Sequence, residues 1–314
     1  MSVTSFKTAS FLKLTFIIII FVILAFVPLI VGGYYVRLIM TILYWTVLAV
    51  SWDFFSGSTR YISLASASFF GVGVYATAIF GYNLPYALVI CINSLLCFLI
   101  AILIGLVSLR LTWIYFSIFT FGLSLLLRET IYWLEINIAH TVGRYTVYFD
   151  LNTVYYNILL ISIVSVSLLA LLRRTKLGLA LKLIGENERT AVHIGINNTL
   201  FKVLGFAISS TCVGAIGSCL ATQWTYVDPR IAFDPLYSFM PIVMSLMGGL
   251  GTEIGPVIGA IVLSLLAEVL LIKLKEYYML LFGLILVTLV MFFPQGIIGA
   301  LKGLRKSRLS SNKS

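Results

Sequence analysis

Residues 85–108 read PYALVICINSLLCFLIAILIGLVS, an uncharged and almost wholly apolar run. At about 1.5 Å per residue, a helix of this length crosses the roughly 30 Å hydrocarbon core of a bilayer. An unpaired backbone amide in that core costs several kcal/mol, so only helices and closed barrels span it. This run is too long and too uniformly apolar for a barrel strand. The pattern repeats outward in both directions, at roughly 13–31, 35–52, 64–81, 113–133, 154–172, 200–222, 236–250, 254–272 and 277–293. Of the 314 residues, 61% are apolar and 10% charged, against about 45–50% and about 25% in an average soluble domain. A soluble globular protein is excluded. The expected fold is an all-α polytopic membrane bundle of about ten transmembrane segments over 13–293, with tails at 1–12 and 294–314.

Leu14 to Val31 is too long for a signal-peptide core and is expected to be a retained first span. Net charge is +10, from 21 Lys and Arg against 11 Asp and Glu. In a membrane chain this excess points to cytoplasmic loops rather than to nucleic acid. Arg173, Arg174, Lys176, Lys182, Arg189 and Lys202 cluster within 173–202, and Lys302, Arg305, Lys306, Arg308 and Lys313 within the C-terminal tail. Both regions are therefore expected inside. Ten spans with both termini cytoplasmic satisfy this and turn the loops at 134–153 and 223–235 outward, where Glu135, Asp150, Asp228 and Asp234 meet only Arg144 and Arg230.

Catalytic and cofactor patterns are missing. Gly71-Val-Gly73-Val-Tyr-Ala76 has the form G-x-G-x-x-A, but no acid follows near 91–96, so a dinucleotide site is not supported. No G-x-x-x-x-G-K-[ST] occurs, and any ATP dependence must come from a partner. His140 and His193 have no metal-ligand spacing, and no nucleophile and base lie where they would converge in a span. Cys91 and Cys97, like Cys212 and Cys219, are spaced six and seven apart on one helix, too far to bridge, and read as apolar fillers. Tyr34, Tyr35, Trp113, Tyr132 and Trp133 lie near span ends as interfacial anchors do.

Two Gly-rich segments interrupt corresponding halves: Ser63-Leu-Ala-Ser66-Ala-Ser-Phe-Phe-Gly71-Val-Gly73-Val-Tyr75, and Met247-Gly248-Gly249-Leu-Gly251-Thr-Glu253-Ile-Gly255-Pro256-Val-Ile-Gly259. Such segments mark discontinuous helices beside a transport pathway, whereas the ladder Gly251, Gly255, Gly259 equally suits close helix packing. Glu268 is the carboxylate expected deepest in a span, a buried acid by one reading and by the other a partner of Lys273 or Lys275 near a span end. Within 173–202, Leu177, Leu181, Ile184, Glu188 and Ala191 recur at helical spacing, with Lys182, Glu186 and Arg189 elsewhere and Gly195 and Asn197 as a stop. An amphipathic helix is expected there, lying on the membrane surface or docking into a partner.

Several ordered blocks resemble the LivM-like permease subunits of bacterial importers for branched-chain amino acids. They are the 63–75 block, Arg110-Leu-Thr-Trp-Ile-Tyr-Phe-Ser-Ile-Phe-Thr120, Arg173-Arg-Thr-Lys-Leu-Gly178-Leu-Ala-Leu-Lys182, Glu186-Asn-Glu188-Arg189-Thr-Ala191-Val-His-Ile-Gly195-Ile196, the 248–260 block and Phe292-Phe-Pro-Gln-Gly-Ile-Ile-Gly299. The resemblance implies a subunit of an ABC importer in the bacterial inner membrane, working with a second permease subunit, two cytoplasmic ATPases that hold ATP and Mg, and an extracytoplasmic binding protein. No cofactor is expected on this chain. It also implies that 173–202 couples to the ATPase through Gly178, Glu186, Glu188, Arg189, Ala191 and Gly195. The family pattern is departed from at Gly185, Asn187, Thr190 and Asp228. Permeases for urea or short amides resemble the same family, and an ion-coupled transporter remains the alternative outside it.

Overall fold

The computed structural model describes residues 23–292, so both tails, most of the first apolar segment and most of the 292–299 block lie outside the described residues. The chain is a bundle of helices: α1 (residues 23–30), α2 (Gly33–Trp52), α3 (Ser66–Phe80), α4 (Tyr86–Ser108), α5 (Trp113–Leu134), α6 (Leu151–Arg173), α7 (Lys176–Glu186), α8 (Glu188–His193), α9 (Asn198–Ala221), α10 (Pro229–Ala232), α11 (Leu236–Gly248), α12 (Gly255–Lys273) and α13 (Tyr278–Phe292). Among the described residues seven helical segments are long and apolar enough to cross a membrane, and α3 is a shorter apolar helix. Every one of the ten apolar stretches read from sequence falls on a helix, the first only from residue 23.

Contacts at the helix ends define two poles. At the basic one, Asp53, Ser58, Leu109, Arg173, Lys202 and Gly251 come together. At the far one, Tyr34 meets Glu268, and a two-residue antiparallel ribbon, β1 (Arg144–Tyr145) with β2 (Tyr226–Val227), ties the connection after α5 to that after α9. The long helices from α2 to α12 run alternately between these poles.

α9 lies at the centre and is buried on all sides, as a helix that is apolar all round must be. It packs most extensively against α4 and α3. A Cβ at Gly73 would collide with the Gly214 carbonyl, and one at Gly217 with the Phe70 carbonyl, so glycine lets the two backbones touch. Asn93 of α4 closes the crossing, its Nδ2 donating to Gly73 O at 3.3 Å, Thr77 Oγ1 at 3.0 Å and Ser218 Oγ at 2.9 Å. Cys97 packs beside Gly214, and the four cysteines are free thiols, three of them buried.

Two expectations about local structure change. The helical spacing from Leu177 to Ala191 does not form one helix but two, α7 and α8. Asn187 is extended (φ −159°, ψ 107°) and its side chain accepts from the Arg189 and Thr190 amides, capping α8 and ending α7. Asn is a strong N-cap, and this local bond wins over the periodicity. The second Gly-rich segment is not a helix broken at mid-membrane but a tight turn at the basic pole. Gly249 (φ +117°) and Gly251 (φ +68°) take conformations that L side chains rarely adopt, and Gly251 therefore leaves the ladder that includes Gly255 and Gly259.

Candidate functional site

α2 does not stop at Trp52 but widens into a π-helical turn, Asp53–Gly57, and ends where Arg60 turns left-handed (φ +62°). Residues 60–65 that follow are irregular. Irregular backbone at membrane depth is tolerated only if its polar groups find partners. Here hydroxyls supply them. Ser63 N donates to Ser56 Oγ at 3.1 Å and Leu64 N to Thr120 Oγ1 at 3.0 Å, while Trp52 Nε1 donates to Ser63 O at 2.8 Å. Ser238 at the start of α11 donates to Leu64 O (2.7 Å) and accepts from Ala67 N (3.0 Å). The interruption before α3 is thus bonded to the start of α11, where residues 233–235 interrupt the second half of the chain.

Beside this junction lies a small cavity with room for about one water, lined by Ser51, Ser56, Ser63, Ser66, Ser209 and Ser210 among aromatic rings. Ser51 is fully buried and its Oγ finds no nitrogen or oxygen partner. Gly71 and Gly73 lie within the continuous α3, downstream of the break. Gly71 faces the Phe233 ring, which a Cβ would strike, and Tyr75 is buried, its hydroxyl 3.4 Å from Glu135 Oε2.

The basic pole holds two ion-pair clusters. Asp53, fully buried, accepts from Arg173 Nη2 at 2.6 Å and from the Gly251 amide at 2.9 Å, while Arg173 Nη1 donates to Thr252 O at 2.9 Å. Arg174 pairs with Glu253 through two hydrogen bonds of 3.1 and 3.0 Å. Gly248, Gly255 and Gly259 pack α11 against α12, Gly248 against the Gly255 carbonyl and Gly259 against that of Met244, and Pro256 stands in the first turn of α12.

In the second cluster Glu188 accepts from Lys202 Nζ at 2.6 Å and from the Tyr61 hydroxyl at 2.8 Å, and Lys202 also donates to Leu109 O at 3.3 Å. Burial by itself would raise the Glu188 carboxyl, but the hydrogen bonds from Lys202 and Tyr61 outweigh it and hold it below the usual carboxylate range. Burial and the Glu188 charge push the Tyr61 phenol upward, so it stays protonated as the donor. Ala191 is buried. Glu186, Arg189 and the left-handed Gly195 (φ +86°) are exposed. Gly178 and Gly185 lie against the Arg173 backbone and the Ser58 carbonyl, leaving no room for a Cβ.

Glu268 is neither deeply buried nor paired with Lys273 or Lys275. It is half-buried, and its Oε1 accepts from Tyr34 OH at 2.7 Å, because α12 brings it to the start of α2. Among the described residues the buried carboxylates are Asp53 and Glu135, the latter bonded by the Gly143 amide at 2.8 Å and lying 3.4 Å from Arg144. Sequence reading passed over Asp53 and placed Glu135 in an outward loop without its burial, since each sits at the edge of an apolar run; the one available signal was an acid directly after Trp52 in an otherwise apolar stretch.

A helical bundle with seven membrane-length apolar segments among the described residues, interrupted helices bonded to one another and a basic segment clamped across one pole has the architecture of a polytopic membrane protein. Residues 34–290 match the family described as the branched-chain amino acid transport system permease component, and the chain belongs to it. It is similar to the high-affinity branched-chain amino acid transport system permease protein LivM of Salmonella typhimurium, at 23% identity over 293 residues, covering 82% of this chain and 68% of that protein. The likeness to LivM of Escherichia coli has the same identity and coverage. No solved structure matches it. The protein is accordingly a multi-pass transport component of the inner membrane.

Proposed function

We propose that this chain is the permease subunit of an ATP-driven importer of branched-chain amino acids, with ten spans and both termini in the cytoplasm. The basic pole faces the cytoplasm, as the positive-inside rule requires. There α7 and α8 dock on an ATPase subunit, which carries ATP and Mg, while a second permease subunit completes the passage and a binding protein delivers substrate at the far pole.

The observation that carries this reading is the Tyr61–Glu188–Lys202 cluster. Tyr61 belongs to the interruption before α3, and its hydroxyl is held by the first residue of α8. Displacing α8 therefore pulls directly on the interrupted backbone, and Arg173 extends the linkage through Asp53 to the Gly251 turn. Alternating access follows if ATP-driven closure of the ATPases moves α7 and α8. The substrate is supported by the family and by both LivM relatives.

Replacing Glu188 with Arg puts like charges against Lys202 and should abolish uptake while the chain remains inserted and associated with its ATPase. Uptake of labelled leucine in membranes with matched chain levels checks this; unchanged transport would overturn the coupling role.

A further inference from the structure

α5 touches the rest of the chain along one stripe, Phe116, Thr120 and Ser124, and leaves the opposite stripe of Tyr115, Phe119, Gly122, Leu126, Glu129 and Trp133 exposed. Three contacts fix how deep this face lies. Thr120 bonds Leu64 and Ser124 bonds Ser68 (2.7 Å) on one side, and Glu135 meets Tyr75 on the other. α5 and α3 therefore run parallel, and Arg128 and Glu129 stand level with Gly71 and Val72, near the middle of α3.

Arg128 and Glu129 form an ion pair of 2.9 Å, with side-chain exposures of 27% and 63%. A charged pair on the outer face of an apolar span is expensive against hydrocarbon, so such residues face the bundle interior or water. More charge converges at the same level. Arg230 of α10 stacks 5.3 Å from the Tyr132 ring, one turn above Glu129. Asp234 is exposed beside Phe233, whose ring covers Gly71, and caps the start of α11 at 2.8 Å. The exposed face of α4, by contrast, presents Leu95, Leu99 and Leu103 and suits lipid.

We propose that the exposed face of α5, with residues 228–236, is the wall of the water-filled passage, and that its mixed charges, Arg128 and Glu129 above all, meet the carboxylate and ammonium of a zwitterionic amino acid. The second permease subunit forms the opposite wall. At Gly122 nothing lies within 4 Å of a Cβ, which leaves space on the passage side one to two turns below the charges. Guanidinium and carboxylate side by side complement both ends of the zwitterion and leave the apolar side chain to Leu126 and Phe119. The ligand assignment and the opposite wall rest on the proposed function; the water-exposed face of α5 does not.

The test uses the assembled importer in native membranes with the exposed Cys91 replaced by Ser. Single cysteines at Leu126→Cys and Thr130→Cys report on the face, and Leu99→Cys on α4 is the control. The probe is 2-(trimethylammonium)ethyl methanethiosulfonate, which is water-soluble and charged. The two reporters should label rapidly and the control should not. Leucine at about ten times its half-saturating concentration should slow labelling roughly tenfold. Adding Glu129→Gln should remove that protection while labelling persists. Reporters no faster than the control would overturn the passage wall. Fast labelling without leucine protection, in an importer that does transport leucine, would overturn the zwitterion contact. If the unmodified importer carries no leucine, the zwitterion contact falls with the proposed function, and the labelling contrast alone decides the wall.

Discussion

Asp53 and Arg173 show how one buried pair can join three parts of the chain. The carboxylate is fully buried and shares its oxygens between the guanidinium and the Gly251 amide. Breaking such a pair leaves an uncompensated charge and costs about 3–5 kcal/mol, whereas replacing both partners by apolar groups is often neutral. Asp53→Ala should therefore lower the melting temperature of the detergent-purified subunit sharply, and Asp53→Leu combined with Arg173→Met should recover much of it; a double variant as unstable as the single would show that the pair is not the cause. Glu188 gives a pH dependence with a definite sign. Its carboxyl is held below the usual value, so the clamp contributes stability above that value and loses it as pH falls through the lowered one. Hydrogen exchange at residues 188–198, corrected for intrinsic rates, should stay protected at neutral pH and rise below about pH 4. Protection that does not change as pH is lowered from neutral to acid unfolding would contradict the ion pair. These residues were hard to read in advance. Glu188 and Lys202 were visible as charges in a basic loop, but their pairing needs the fold of α8 back onto α9, and Asn198, which donates to Glu188 O at 2.8 Å, gave no sign of it.

Among the elements, the helices themselves were legible because apolar length alone specifies a span. The interruptions were legible only in part. The Gly-rich reading of 63–75 marked roughly where the first falls, but its glycines lie inside α3, and the hydroxyls that bond the irregular backbone come from Ser56, Ser63, Thr120 and Ser238. Glycine misled in the second half. The Gly248–Gly259 cluster serves a turn and a close helix pair, and the interruption falls earlier, at 233–235, where an Asp-Pro step starts α11. A leucine at Gly251 must adopt φ near +68°, a strain of about 1–3 kcal/mol, and would also crowd the amide that Asp53 holds. Gly251→Leu should lower uptake severalfold at equal chain levels, and Gly251→Asn, which tolerates left-handed backbone better, should retain more of it. Equal activity in the two variants would remove backbone conformation as the reason for glycine here.

At the scale of the whole molecule, the basic pole and the mid-depth charges divide the work. Two ion-pair clusters tie the end of α6 to Asp53 and the turn before α12, and the start of α8 to Tyr61 and α9, so the pole is one connected body. The exposed charges on α5 lie about half a bundle away, where a passage would need them. The pole was legible from the spacing of Lys and Arg, and the passage face was not, because Arg128 and Glu129 sit inside an apolar segment and only the depth fixed by Ser68 and Tyr75 shows them unsheltered. This chain is proposed to carry ATP-driven uptake of branched-chain amino acids. The most direct test is uptake of labelled leucine, isoleucine, valine and urea in cells lacking only this chain, with and without its return, and with ATP depleted. Uptake of the three amino acids but not of urea should be lost, should recover when the chain is restored, and should not recover without ATP; unchanged branched-chain uptake, or restored uptake that survives ATP depletion, would contradict the proposed function.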